Sequence, residues 1–169
     1  MTPVVTVFFF ASIQSEIFMP KRKPKTIWID ADACPKPVKE IIYKTSVRLN
    51  ISVVLVANDY QNIPTSDLIR LTVVSNGFDA ADKHIIDNVE PHDIVITADI
   101  PLAAEVLKKK AVALDPRGQI YHENTIASIL SVRDFLKEMR DAGTLTGGPA
   151  AFGPKDIKQF ADSLNRLTS

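Results

Sequence analysis

The chain has 169 residues, 46% hydrophobic and 24% charged, which is enough for one good core and excludes a disordered chain. Its 20 basic and 20 acidic residues cancel, so composition gives no overall field for nucleic acid or membranes, and such binding has to come from a local patch. The single cysteine, Cys34, excludes an internal disulfide framework and fits a reducing cytoplasm.

The first 25 residues stand apart from the rest. Val4 to Ile13 is mostly apolar, but no Lys or Arg precedes it, and Lys21, Arg22, Lys23 and Lys25 follow it. A secretory signal has the opposite order, and a membrane span needs about 20 apolar residues. Residues 1–25 are therefore expected to be an extension outside the fold, with Met19 an alternative start; a weak signal or membrane-surface segment is the other reading. No membrane partner is expected for the remainder, and 26–169 reads as a single domain.

From Thr26 the pattern alternates strand and helix. Thr26 to Ile29 is a buried strand, and a helix follows from about Pro37 to Arg48, with Val38, Ile41, Ile42, Thr45 and Leu49 on one stripe. Ser52 to Ala57 is the second strand, and a loop with Pro64 and Ser66 leads to the third, Leu71 to Val74. Asn76-Gly77 signals a turn before a helix from about Ala80 to Asp87. Asp93 to Thr97, a helix from about Pro101 to Lys109 and a strand from Val112 to Leu114 complete the alternation. Such a pattern predicts an α/β fold with a central parallel sheet and helices on both faces. Past Asp115-Pro116-Arg117-Gly118, two helices over 124–142 and 154–167, joined by a Gly- and Pro-rich loop, read as a helical cap on the sheet.

Two strands end on aspartate just before a helix: Ile29 runs into Asp30-Ala31-Asp32, and Ile96 into Thr97-Ala98-Asp99. Open α/β sheets bind ligands outside the carboxyl ends of their strands, so Asp30, Asp32 and Asp99 are expected on the functional rim. Asp79 and Asp82 lie three apart and share one side of a helix. Five carboxylates near one rim raise one another's pKa unless a cation neutralises them, and hard oxygen donors suit Mg2+ or Mn2+. For any single Asp a helix N-cap is the simpler explanation; for the set, a metal site is favoured.

Thr97 sits where its hydroxyl would contact a phosphate or bound water, or satisfy a helix terminus. Asn58, after the second strand, is on the same rim or is an ordinary turn residue. Arg117, Arg133 and Arg140 would make a phosphate-binding patch, or lie on solvated faces. Cys34 reads as a small buried residue, and His84, His92 and His122 lack ligand spacing. There is no Walker loop and no GxGxxG, so no nucleotide cofactor is expected.

Taken together, IWIDADACP, LVAN, GFDAADKHI, DIVITADIPLAAEVL, ALDPRG and TGGPAAF resemble the YaiI/YqxD family of uncharacterised bacterial proteins, over about Ile27 to Leu167. That family is similar to the PIN-like nuclease superfamily, particularly its NYN branch. The resemblance implies a three-layer PIN-like fold with strand order 3-2-1-4-5. It also implies a metal-dependent RNase-like site: Asp30, Asp79 or Asp82, and Asp99 would hold Mg2+ or Mn2+, with Asp32 in the narrower family motif. Thr97 would orient water or phosphate, Asn58, Arg117 and Arg133 would bind substrate, and RNA would be the partner.

Two alternatives stand beside this. Asp30-x-Asp32 after an apolar strand, with Val73-Val74-Ser75-Asn76, mimics a haloacid-dehalogenase-like phosphatase using Asp30 as nucleophile, although Asp93 precedes its strand where a following acidic pair is wanted. A non-catalytic metal- or RNA-binding regulatory protein is the other. The sequence leaves the oligomeric state open.

Overall fold

The computed structural model describes residues 24, 26–75 and 77–169; the expectations for the N-terminal extension and for the turn at Asn76 lie outside the described residues. Five strands, β1 (Thr26–Asp30), β2 (Ser52–Ala57), β3 (Ile69–Val73), β4 (Ile94–Ile96) and β5 (Val112–Leu114), form one sheet in the order β3-β2-β1-β4-β5. Every pairing is parallel, and Trp28 of β1 lies between Val54 of β2 and Val95 of β4. The helices are α1 (Lys36–Leu49), α2 (Ala80–Asn88), α3 (Ile100–Lys108), α4 (Ile126–Asp141) and α5 (Pro154–Thr168). The chain is thus the expected α/β fold with strand order 3-2-1-4-5.

Strand alternation divides the core into two layers. Ile27, Ile29, Val53, Leu55 and Ile96 point to one face, where α1 supplies Val38 and Ile42 and α5 supplies Phe160 and Leu164. Trp28, Val54, Val56 and Val95 point to the other, covered by Ala81 and Ile85 of α2, Leu102 and Val106 of α3, and Ile126 of α4. Because both faces are covered, the central strands are continuous apolar runs, and this is what makes them recognisable.

The ends of the elements have local causes. Pro37 lies in the first turn of α1, where its missing N–H costs nothing, and Asn50 ends the helix at φ 55°. β3 begins at Ile69, two residues before the expected start, because it pairs with Val53 while Val53 N–H donates to Leu68 O at 2.7 Å. At the amino edge of the sheet the buried Asp93 accepts from Thr26 N–H (3.2 Å), Trp28 Nε1–H (3.1 Å) and Glu90 N–H (3.0 Å), stapling β1 to the turn before β4.

The two C-terminal helices differ. α5 is seated: Ser163 Oγ–H donates to Gly118 O at 2.6 Å, and Gly118, at φ +93°, lies so close to α5 that a Cβ there would be 2.5 Å from Gln159 C. α4 is not a full cap, since Ile126 is its only buried residue, while Val132, Phe135 and Leu136 are exposed.

β1, β2 and β3 wind away from one side of the crevice and β4 and β5 from the other, so the strand order reverses between β1 and β4. Their carboxyl ends therefore flank the place where open α/β sheets hold ligands.

Candidate functional site

Asp30 closes β1 and has the parity of Trp28, so its side chain leaves the sheet on the side of α2 and α3. Across the crevice, the buried Thr97 donates its hydroxyl hydrogen to Asp30 Oδ2 at 3.2 Å and accepts Asp99 N–H at 3.0 Å. Asp99 is the N-cap of α3, and its Oδ1 accepts Leu102 N–H at 3.0 Å. One threonine thus ties the two strand-end aspartates into a single rigid unit.

α2 brings the second half. Asp79 is at its N-cap position with φ 63°, a left-handed conformation that Asp tolerates, but its carboxylate makes no capping bond. Asp82 follows in the first turn. Burial, then repulsion from Asp99, Asp30 and Asp79, pushes the Asp82 carboxyl up to about 6. Asp30 is also raised, by burial first and by Asp99 and Asp32, against the lowering effect of the Thr97 hydrogen bond. Asp30, Asp79, Asp82 and Asp99 therefore act on one another as a set.

Asp32 lies beside this set with its oxygens engaged. It accepts from Asn58 N–H (2.9 Å), Asn58 Nδ2 (3.0 Å) and Gln61 Nε2 (3.1 Å), and Gln61 accepts from Lys39 Nζ at 2.6 Å. Asn58 Oδ1 is buried without a partner among the described residues.

A cleft of about 410 Å3 runs from the acidic set outward, with Phe78, Asp79, Asp82, Asp99 and Arg133 on its walls. Arg133 also pairs with Asp134 at 2.9 Å on the helix surface. Phe78 is 98% exposed, and sequence reasoning missed it. The available signal was an aromatic in a loop, between Gly77 and Asp79, with no strand or helix face to occupy.

Arg117 is not in the site. Its guanidinium is committed to α5 and the preceding loop, bonding Asp156 (3.1 Å) and Ala150 O (2.6 Å) and lying 5.7 Å from the centre of the Phe152 ring. Cys34 is buried, and burial pushes its thiol up to about 12, so it is an inert packing residue. His84 lies tilted against Trp28.

The donor set of the rim is all oxygen, which suits a hard divalent cation better than zinc or copper. Among the described residues no three acidic, histidine or cysteine side chains are close enough together to hold a metal as they stand. Mg2+ sites commonly use one or two carboxylates and several waters, a demand that Asp30, Asp82 and Asp99 meet in chemistry. No helix among the described residues is long and apolar enough to cross a membrane.

A family model described as "Uncharacterized BCR, YaiI/YqxD family" matches residues 28–169. Curated relatives include a UPF0178 protein of Maridesulfovibrio salexigens, 52% identical over 141 residues that cover 83% of this chain and 93% of the relative. A UPF0178 protein of Shewanella loihica is 52% identical, covering 83% of this chain and 94% of the relative. The UPF0178 protein lpg0089 of Legionella pneumophila is 47% identical, with shares of 83% and 95%. No solved structure matches the chain.

Proposed function

The chain belongs to the YaiI/YqxD family, and we propose that it is a PIN-like, divalent-metal-dependent nuclease that hydrolyses phosphodiesters in RNA. The observation that carries this reading is the Thr97-bridged pair of Asp30 and Asp99 at the switch point, with Asp82 across the cleft, its carboxyl raised to about 6 by burial first and then by the charges of Asp99, Asp30 and Asp79. Carboxylates whose pKa values are raised by burial and by one another's charge concentrate at functional sites.

Asp30, Asp82 and Asp99, with Asp79 beside them, would hold Mg2+ or Mn2+. When bound, that cation supplies Lewis-acid activation of water and of the phosphate. Thr97 fixes the spacing of Asp30 and Asp99, and Arg133, on the cleft wall, is placed to pair with a phosphate oxygen. Asp32 orients Asn58 and Gln61 as part of the supporting shell. The single cysteine, buried and outside any disulfide, fits a cytoplasmic protein.

One other reading stands beside it, a metal- or RNA-binding regulatory protein without turnover, since the strand-end carboxylates would attract a cation whether or not it activates water. The phosphatase reading has less support. Its acid, Asp32, already accepts three hydrogen bonds, and Asp93 serves the opposite edge of the sheet.

The test is cleavage of single-stranded RNA by purified protein with Mn2+ or Mg2+, against Asp30→Asn. The variant is expected to lose cleavage and to keep its metal-free melting temperature. Cleavage equal to the parent's would place the activity elsewhere; none under any divalent cation would favour the regulatory reading.

A further inference from the structure

We propose that the cleft and the exposed side of α4 form a track for an unpaired nucleic-acid strand, with Phe78 stacking on a base and Arg133 and Arg140 holding its phosphates. The proposal rests on the nuclease reading for the site at one end of the track, and it adds the path of the strand and the residues that hold it.

Phe78 is the first observation. A phenylalanine 98% exposed at the mouth of a charged cleft has no packing role to explain it. Aromatic side chains on single-strand-binding surfaces do have this exposure, because every base offers a π-face, and only an unpaired base offers it freely.

The second observation is continuity. Arg133 lines the acidic cleft and also a separate groove of about 430 Å3 along α4, whose lining includes Ile100, Ile129, Val132, Leu136 and Arg140. The groove is apolar, with an arginine toward each end. Arg133 and Arg140 are seven residues apart, two turns of helix, so both guanidinium groups emerge on one flank of the apolar stripe. Arg133 is held only by a surface pair with its neighbour Asp134, which a phosphate displaces at small cost. Arg140 makes no ion pair or hydrogen bond through its side chain among the described residues.

Charge complementarity selects the occupant. An apolar floor flanked by cations matches bases and phosphates. The sheet-end carboxylates beyond Arg133 would repel the strand unless a cation sits there, which confines the free phosphate contacts to the arginines. The same geometry accounts for α4, whose apolar residues Val132 and Leu136 are uncovered in the isolated chain.

The experiment is fluorescence anisotropy of a labelled oligouridine, in Ca2+ and in EDTA, against the same length of RNA duplex. The parent should prefer the single strand. Phe78→Ala should weaken binding about tenfold and Phe78→Trp should restore it. Arg140→Ala should reduce the slope of log affinity against log salt by about 0.7, the share of one phosphate on a single strand. Phe78 and Arg140 are exposed, so neither change threatens the fold. Binding unaffected by both changes, equal binding of duplex, or no binding in either buffer overturns the proposal. So does a concentration-dependent dimer that Leu136→Lys abolishes, since α4 is then covered by a second copy. Failure of the nuclease reading looks different: the strand binds as described but no divalent cation yields cleavage. Cleavage with KM unchanged in Phe78→Ala and Arg140→Ala sinks the track alone.

Discussion

Thr97 and Asp30 are 67 residues apart in the chain and are joined by a 3.2 Å hydrogen bond that closes the crevice between β4 and β1. The same hydroxyl oxygen receives Asp99 N–H, so one buried group serves both partners of the strand-end pair.

Thr97→Val keeps the shape and removes the hydroxyl. Asp30 Oδ2 and Asp99 N–H then lose their shared partner in a part-buried place, a cost of about 1–3 kcal/mol. The Asp30 carboxyl should also rise further, since the Thr97 hydrogen bond is what opposes its burial. Urea unfolding measures the first effect and carboxylate NMR titration the second. A variant as stable as the parent, with Asp30 titrating unchanged, would show that the hydroxyl holds nothing.

The acidic set gives the metal-free protein a definite pH response. Asp82 titrates at about 6 when folded and near the ordinary aspartate value of about 3.9 when unfolded. Between those values the folded chain keeps a proton that the unfolded chain has lost. Stability therefore falls as pH rises through this window and levels off above it. Asp82→Asn should flatten the fall, although Asp30 and Asp115, both raised by burial, leave part of it in place. Urea midpoints at about pH 4.5 and about pH 7.5 check this, and parallel curves for parent and variant would refute it.

The sheet was legible because its strands are buried on both faces and read as apolar runs, and the rim because two of those runs end on Asp30 and Thr97-Ala98-Asp99. What stayed hidden depends on partners distant in sequence. Arg117 has the chemistry of a phosphate ligand, but Asp156, 39 residues on, claims it. Asp32 resembles Asp30 in the motif, yet Asn58 and Gln61 occupy its oxygens. Asp99 caps α3 through Oδ1 and also adds its charge to the acidic set, so a capping role does not remove it from the rim.

The ALDPRG segment owes its glycine to packing. At Gly118 any side chain must adopt φ +93° and place its Cβ 2.5 Å from Gln159 C and 2.7 Å from Phe160 N, both backbone atoms that cannot move aside alone. Gly118→Ala should cost more than about 2 kcal/mol and loosen α5, whose Ser163 hydroxyl bonds the Gly118 carbonyl. Amide exchange that quickens more along α5 than in β1 to β4 is the expected signature. Unaltered exchange would mean that the loop shifts without cost.

Asp99 offers the cleanest separation of metal binding from folding. Its Oδ1 caps α3 by accepting Leu102 N–H, a task that asparagine performs equally well, so Asp99→Asn should leave the metal-free melting temperature near the parent's or slightly above it. Any gain comes from removing a charge that burdens Asp30 and Asp82. A cation that binds only the folded state raises the melting temperature by mass action, and an amide lacks the charge to hold it. Mn2+ titrations followed by calorimetry should therefore show a rise in the parent and none in the variant. A rise of equal size in both would remove Asp99 from the ligand set, and a lower metal-free melting temperature would show that the carboxylate does more for α3 than an amide can.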